Sequence, residues 1–393
     1  MLRSVSNARF SSRLLGSAFS LLALMRPTMA DAQTESTDWR AVAAKIVERM
    51  GLVRGERVLL AGVAGESDAL VPLLRAAIRA AGATDLGAVA ERSTPPPEWT
   101  TEFTRGLSER SEPSSDEYLR TVDVAVMLPG LTASDPVYAS MQRVLRGGRG
   151  RTVHFHWAGA YDLDGVLMAT TPDVARVYQH ALLDTDYGAL AARQRTLAAA
   201  LRAGVVRVVT PAGTDLRFRV GDRPVTMQDG DASAARAARG RNLIDREVEL
   251  PAGAVRVAPL EETVEGTIAF PPSVWAGQRI EGLVLAFSRG QITDIRVGAG
   301  RDAVERELAS GGNGARRFRE FVLGLNPLLA IPTVGSRWIP YYGYGAGVVR
   351  LSLGDNTELG GMVTGGYVRW NFFTDATVTV GNDVWVRDGR TMR

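Results

Sequence analysis

The first half of the chain alternates between buried-strand and helical patterns, and this alternation restricts the possible folds more than any other feature. Continuous apolar runs predict strands at 57–61, 122–128 and 152–157. Apolar residues at helical spacing predict helices at 38–50, 69–81, 135–146 and 171–202. Because strands that alternate with helices are typical of βαβ units, we expect an α/β domain with a parallel sheet and helices on both faces.

The pattern changes near Gly204. Apolar runs at 205–209 and 216–220 flank a Pro- and Gly-containing turn, which predicts a hairpin. From there to the C-terminus short strands and Gly-rich turns dominate, interrupted by one predicted helix at 302–323. We therefore predict an α/β domain over 38–203 and a strand-rich α+β domain over 204–393.

The N-terminus has the layout of a secretory signal peptide. Several arginines precede an apolar run at 14–25, and the small-residue sequence Ala30-Asp31-Ala32 follows. Residues 1–32 are therefore predicted to be a signal peptide, and the protein to be exported to the periplasm or secreted. If translation starts at Met25 or Met29, the protein is expected to be cytoplasmic. No other stretch approaches the roughly 20 apolar residues of a transmembrane helix.

Charge and cysteine content exclude several classes of function. The chain has 46 basic and 43 acidic residues and a net charge of +3. Its arginines are scattered among the acidic residues and form no basic stripe, so we expect no nucleic-acid partner. The absence of cysteine excludes disulfides, thiolate zinc sites and a thiol nucleophile.

Five segments of the second half carry a family resemblance through their order and spacing. They lie at 213–216, 250–259, 265–268, 280–290 and 314–327, and the last, with the sequence GARRFREFVLGLNP, is the most specific. Together they resemble the aminopeptidase T-type family of thermophilic metallo-aminopeptidases. The resemblance implies a usually dimeric, metal-dependent aminopeptidase. It also implies paired divalent metals in the second domain, held by two Glu, two His, an Asp and a Tyr.

When these implied ligands are carried over one by one, only one of the six is retained. The matching positions are Ala254 for the first Glu, Glu320 for the second Glu, Arg350 for the first His, Thr357 for the Tyr, and Arg369 and Asn371 for the final His and Asp. A different alignment, anchored on Asn242-Leu243, offers Glu247 as the first Glu. We prefer Ala254 because the downstream spacing is then unbroken.

The distribution of histidine supports this result without any alignment. The three histidines are His154, His156 and His180, so the second domain contains neither His nor Cys. It cannot build an imidazole-ligated zinc or cobalt site by itself. We therefore predict no metal cofactor. His154 and His156 alternate on a predicted strand, and we interpret them as a structural pair because no third ligand is evident.

The replaced positions allow two interpretations. Glu320 with Arg350 and Arg369 sums to a formal charge of +1, Asn371 being neutral. The cluster is then either a structural ion-pair network or a pocket that captures an anion, such as a peptide C-terminus or a phosphorylated small molecule. Neighbouring aromatic residues either pack in the strands or line such a pocket, and the candidates for the second role are Tyr341, Tyr342 and Tyr344.

We therefore predict a homologue of metallo-aminopeptidases that is inactive as a metallopeptidase. It is expected to bind a small anionic molecule or a peptide terminus, and the resemblance implies a homodimer. The alternative is an active aminopeptidase or related hydrolase that uses a non-family metal site or a metal-free site. The sequence does not decide whether the protein is an enzyme.

Overall fold

A five-stranded parallel sheet, an eight-stranded antiparallel sheet and a five-stranded antiparallel sheet organise the chain in a computed structural model, which describes residues 37–157 and 159–392. The predicted signal peptide lies outside the described residues. The predicted fold class is confirmed, because the first half forms a parallel sheet with flanking helices and the second half is strand-rich.

The helices begin and end close to the predicted positions in the first half. They are α1 (Trp39–Met50), α2 (Val71–Ala80), α3 (Glu102–Ser108), α4 (Glu112–Leu119), α5 (Pro136–Arg146), α6 (Pro172–Asp184), α7 (Tyr187–Ala203), α8 (Ala234–Ala238), α9 (Arg301–Ser310) and α10 (Gly312–Ala315). Helix α1 starts where the Asp38 side chain accepts a hydrogen bond from the Ala41 amide, and it ends at Gly51 in the left-handed region. The segment predicted as one helix at 171–202 is two, because Asp186 caps a new helix.

The strands, like the helices, are numbered in the order in which they occur along the chain. They are β1 (Arg57–Gly62), β2 (Thr84–Ala90), β3 (Val124–Met127), β4 (Arg151–Phe155), β5 (Val205–Val209), β6 (Asp215–Arg219), β7 (Thr226–Gln228), β8 (Glu247–Leu250), β9 (Ala254–Val257), β10 (Glu265–Ala269), β11 (Ser273–Trp275), β12 (Gln278–Ile280), β13 (Val284–Ser288), β14 (Gln291–Arg296), β15 (Phe318–Gly324), β16 (Val349–Gly354), β17 (Val368–Phe373), β18 (Thr377–Val380), β19 (Asp383–Arg387) and β20 (Arg390–Thr391). The predicted hairpin is present as β5 and β6.

Three sheets carry most of these strands. The parallel sheet has the order β2-β1-β3-β4-β8, so its last strand comes from the second half of the chain. An eight-stranded antiparallel sheet has the order β14-β13-β10-β6-β5-β18-β19-β20. A five-stranded antiparallel sheet, with the order β17-β16-β15-β9-β7, holds the candidate site.

The predicted helix at 302–323 is wrong in its second half. Helix α9 ends at Ser310, a short turn of helix follows, and residues 318–324 form β15. Gly311 and Gly312 interrupt the helix, and Gly312 takes a positive φ of 64°. Every residue of β15 is buried. A strand buried on both faces lacks the alternation that distinguishes strand from helix in a sequence.

One hydrophobic core runs through both halves of the described chain, from Val42 in α1 to Val386 in β19. In the described residues, no helix is long and apolar enough to cross a membrane.

Candidate functional site

The candidate site is built around Glu320 in the middle of the five-stranded sheet. Strand β15 lies between β16 and β9, and the Glu320 side chain is completely buried. Glu320 pairs with Ser352, while Val322 pairs with Arg350 on one side and with Arg256 on the other. These residues share one face of the sheet, because side chains two residues apart point the same way.

Both oxygens of the Glu320 carboxylate are occupied by guanidinium donors. Arg256 donates to Oε2 from Nε at 3.2 Å and from Nη2 at 3.1 Å. Arg350 donates to Oε1 from Nη2 at 3.0 Å, and the Ser352 hydroxyl lies 3.3 Å from the same oxygen. Arg319 places its Nε 3.6 Å from Oε1. Such charge-assisted contacts compensate the burial of a carboxylate.

A local irregularity of β15 brings Arg319 into this cluster. The register shifts between Phe318 and Glu320 where the strand pairs with β16. In a regular strand two consecutive residues point to opposite faces, whereas a bulge can re-aim a side chain. Arg319 and Glu320 therefore both reach the same group of charges.

The pKa of Glu320 reflects the competition between burial and charge. Burial alone would raise the pKa of this carboxyl, but the charges of Arg256, Arg350 and Arg319 together hold it far below its usual range. Glu320 is consequently ionised at every physiological pH.

Two further carboxylates complete the cluster, which we call the Glu320 cluster. Arg256 also contacts Glu249 at 3.4 Å and Glu358 at 3.2 Å, and Arg319 pairs with Glu358 as well. The three arginines at 256, 319 and 350 are thus matched by the three carboxylates at 249, 320 and 358. The excess positive charge expected from Glu320, Arg350 and Arg369 is absent here.

The end of the parallel sheet lies beside this cluster and carries a second buried polar group. His154 Nδ1 lies 3.0 Å from the Tyr138 hydroxyl, and His154 Nε2 lies 3.9 Å from Glu247 Oε1. Burial, the Glu358 charge and the Glu249 charge raise the pKa of Glu247 to about 8. Burial lowers the pKa of His154 well below its usual value. Glu247 and His154 are therefore both neutral near pH 7.

The predicted tyrosines surround Arg350 and the histidines. The Tyr342 carbonyl accepts from Arg350 Nη1 at 3.1 Å, and the His156 ring lies edge-on to the rings of Tyr341 and Tyr342. The Tyr341 hydroxyl donates to the Leu250 carbonyl, and Tyr344 is fully buried. Tyr341 thus contacts β8 of the parallel sheet, and Tyr342 contacts β16 of the five-stranded antiparallel sheet.

Arg369 and Asn371 lie away from Glu320. They pair with Leu353 and Leu351, on the face of the sheet opposite to Glu320. The Arg369 side chain donates to Glu307, to Asn371 Oδ1 at 3.0 Å and to the Val274 carbonyl at 2.9 Å. Its guanidinium also stacks 3.5 Å above the Trp275 ring. Of the predicted site residues, Arg350 contacts Glu320, whereas Arg369 and Asn371 do not.

Arg369 and Asn371 border a small cleft of about 120 Å³ beside β17. Its other lining residues are mostly apolar, and they include Val166, Phe270, Val274, Trp370 and Phe372. Because Arg369 is paired with Glu307, the cleft presents no unpaired guanidinium from this residue.

The remaining implied ligand positions carry no donor for a metal at Glu320. Ala254 is buried and pairs with Gly324, and Thr357 is exposed with its hydroxyl bonded to Asp355. The group that contacts Glu320 in place of a second carboxylate is Arg256, which was not among the predicted site residues. The signal was available, because Arg256 is the single charge in the otherwise apolar strand β9.

This donor set does not fit the paired divalent metals that the resemblance implies. A dication needs anionic or neutral lone-pair donors. Glu320 is contacted by three guanidiniums, which offer no lone pair and repel cations, and by the neutral hydroxyl of Ser352. The other two carboxylates of the cluster, Glu249 and Glu358, are already paired with arginines. The nearby imidazole of His154 is bonded to Tyr138 and Thr152 instead.

Comparison with known proteins confirms the predicted family resemblance. Residues 187–331 match the model of a family described as thermophilic metalloprotease (M29). This segment contains Glu320 and Arg256 but ends before Arg350. No curated protein matches the chain.

Two solved structures share the fold over nearly the whole chain. One is 2,5-dihydroxypyridine dioxygenase from Pseudomonas putida KT2440, at 17% identity and a TM-score of 0.60, covering 90% of this chain and 96% of that one. The other is wild-type AmpT from Thermus thermophilus, at 17% identity and a TM-score of 0.59, covering 90% of this chain and 99% of that one. At this identity the likeness concerns the fold alone.

Proposed function

We propose that this relative of the thermophilic metalloproteases is a metal-independent binding protein and not a working metallopeptidase. The observation that carries the proposal is the state of Glu320, whose two oxygens accept from Arg256 and Arg350. Fixed guanidinium charges offset its burial, a task that bound cations perform in a dimetal hydrolase. A buried carboxylate already paired in this way has no lone pair directed at a substrate or an activated water.

The charge balance of the Glu320 cluster favours the structural interpretation of these residues over anion capture. Three arginines face three carboxylates, and Glu247 beside them holds its proton because its pKa is raised to about 8. An anion entering this buried cluster would have to displace an existing ion pair. We propose that the ligand is an anionic small molecule or a peptide terminus that binds elsewhere on the protein.

The proposal is tested by measuring peptidase turnover and metal content together. The purified chain is incubated with a set of aminoacyl-anilides, with and without added Co²⁺, Zn²⁺ or Mg²⁺, and AmpT serves as the positive control for the assay. We expect no turnover above background and no stoichiometric metal after dialysis. Chelator-sensitive turnover with stoichiometric metal would contradict the proposal.

A second candidate function is a metal-free hydrolase, and one observation favours it. Glu247 has a pKa raised to about 8 beside His154, and strongly shifted acids cluster at functional sites. Under this candidate, turnover persists in the presence of a chelator and is abolished by Glu247→Gln. Under the first proposal, neither the wild type nor the variant hydrolyses any of the anilides.

We further propose that the protein is exported through residues 1–32 and assembles as a homodimer. N-terminal sequencing of the chain recovered from the periplasm or medium tests the proposed export, with a mature start after Ala32 as the expected result.

Light scattering of the mature chain tests the proposed homodimer, and a monomeric mass would contradict it.

A further inference from the structure

An arginine-lined cleft lies between the C-terminal end of α5 and the segment that leads into β8. It has a volume of about 300 Å³, and we call it the arginine cleft. Its lining residues are Leu145, Arg146, Gly148, Gly240, Arg241, Asn242, Leu243, Arg246 and Thr357. The lining includes three arginines and no acidic residue.

The positive charges of this cleft are not neutralised. Arg146 has no ion pair or side-chain hydrogen bond in the described part of the chain. Arg241 donates from Nη2 to the Asp222 carbonyl, and Arg246 donates from Nη1 to the Gly150 carbonyl. A backbone carbonyl orients a guanidinium without cancelling its charge. Three positive charges are therefore concentrated in one concave region of a chain whose net charge is only +3.

The carboxylate nearest in sequence to these arginines, Asp245, forms no ion pair with their guanidiniums within the described residues. Asp245 accepts from the Thr226 hydroxyl at 2.8 Å and from the Arg241 backbone amide at 2.9 Å. It borders an adjoining cleft that shares Gly240 and Arg241 with the arginine cleft. That adjoining cleft is lined by five arginines, of which Arg195, Arg202 and Arg239 lack ion pairs within the described residues, and by the three aspartates Asp229, Asp231 and Asp245.

From these observations we infer that the arginine cleft binds a small molecule bearing a phosphate group. A phosphate monoester carries a charge near −2 and three terminal oxygens, which match planar guanidinium forks. The volume of the cleft lies at the lower end of the roughly 300–1,000 Å³ of small-ligand sites. Leu145 and Leu243, both largely buried, form the apolar part of the wall. Concave sites lined by one sign of charge also focus the electrostatic field on an incoming ion.

This inference rests on the proposed binding function and gives it a ligand class and a place. The arginine cleft includes neither Glu320 nor a metal site, so ligand binding there can be tested separately from the proposal about Glu320. A failure to bind phosphate leaves the account of Glu320 intact, and metal-dependent turnover at Glu320 leaves the arginine cleft intact.

Calorimetric titration with inorganic phosphate and pyrophosphate tests the inference, at constant ionic strength maintained with NaCl. We expect saturable binding by the wild type. Arg146→Gln and Arg241→Gln each weaken it at least tenfold, while Arg306→Gln, an exposed arginine on α9 without an ion pair, leaves it unchanged. Circular dichroism confirms that the variants are folded. Arg246→Lys retains the charge but loses the fork, and it is expected to bind more weakly than wild type but more tightly than Arg246→Gln.

Citrate provides the comparison with a ligand that has only carboxylates. Binding of citrate without binding of phosphate overturns the assignment of ligand class. Absence of saturable binding of either phosphate probe, or equal binding by the wild type and the Arg146 and Arg241 variants, overturns the inference itself.

Discussion

At residue scale, the burial of Glu320 is compensated by directed hydrogen bonds from permanently charged groups. Arginine cannot be deprotonated in a protein, so Arg256 and Arg350 keep their positive charges at every pH at which the fold survives. The arrangement resembles a buried ion-pair network, which generally costs stability when one partner is removed. Its contribution is therefore visible in single substitutions.

Glu320→Gln is expected to lower the free energy of unfolding by about 3–5 kcal/mol, because it leaves three arginines without their central carboxylate. Urea denaturation followed by circular dichroism measures the change. Glu117→Gln is the matched control, since Glu117 forms an exposed pair with Arg120 and should change stability by less than about 0.5 kcal/mol. Equal effects of the two substitutions would contradict the buried network.

The same carboxylate determines how stability responds to acid. The folded-state pKa of Glu320 lies far below the ordinary value of 4.5, because three arginines outweigh the effect of burial. Its stabilising contribution is present above pH 4.5 and is lost as the pH falls below that value toward the folded-state pKa. The wild type and Glu320→Gln should therefore converge in stability as the pH is lowered from 5.

The contribution of Glu247 to stability changes with pH in the opposite direction. Burial and the neighbouring charge of Glu358 raise its pKa from 4.5 to about 8, so the folded state binds a proton that the unfolded state releases. Stability should therefore fall as the pH rises from 4.5 to 8. Glu247→Gln keeps the oxygen that accepts from Gln142 and removes the titration. We expect the variant to be more stable than wild type at pH 8 by on the order of a few kcal/mol.

That difference should shrink to near zero at pH 4.5, where Glu247 is protonated in the folded wild type. Denaturant unfolding at several pH values measures it. A difference that does not vary with pH would show that Glu247 does not titrate as the structure implies.

At the scale of single elements, β15 shows which features of the site the sequence predicts. The segment 314–327 carried the family resemblance and located Glu320, yet its helical pattern concealed a strand. Glycines at 311 and 312 were the evidence for the break. Local pattern could not reveal the pairing with β9 and β16, because strand pairing depends on residues distant in the sequence.

The alternation of side chains between the two faces of a strand explains which of the predicted site residues lie beside Glu320. Arg350 contacts Glu320, but Arg369 and Asn371 lie on the face of the five-stranded antiparallel sheet opposite to Glu320. A displacement by one residue reverses the face of every side chain in a strand. Without a register the sequence could not determine the face, and it also could not show that Arg256 on β9 reaches Glu320.

Gly324 at the end of β15 should not tolerate a side chain. A Cβ at this position would lie 2.1 Å from the Gly345 carbonyl oxygen and 2.6 Å from that of Gly343. Gly324→Ala is expected to destabilise the fold by about 2–4 kcal/mol, because the backbone must move apart. Gly298→Ala is the control, since a Cβ there meets nothing within 4 Å. Thermal unfolding compares the two, and a stable Gly324→Ala variant would contradict this close approach.

At the scale of the whole molecule, the chain returns to its first sheet after the second half has begun. Strand β8 pairs with β4 through Thr152–Glu247 and Phe155–Leu250, and the hydrophobic core is continuous across both halves. The predicted boundary near residue 204 remains a prediction about domains. The pairing of β8 with β4 could not be predicted, because a four-residue strand has little sequence pattern of its own.

A fragment that ends at residue 203 should therefore fail to fold cooperatively. It would expose the edge of β4 and lose the core residues Val248 and Leu250. Residues 37–203 are expected to unfold without a sharp transition in urea, whereas residues 37–392 unfold sharply. A cooperative transition in the shorter fragment would support an independent domain over 38–203.

The central claim is that guanidinium groups occupy the position around Glu320 that metals occupy in a working metallopeptidase. Equilibrium dialysis against Co²⁺, with the visible absorption of the bound ion as a second readout, tests it most directly. The account predicts no saturable binding in the wild type and no change in Glu320→Gln. Saturable binding of one or two ions per chain that is lost in Glu320→Gln would contradict it.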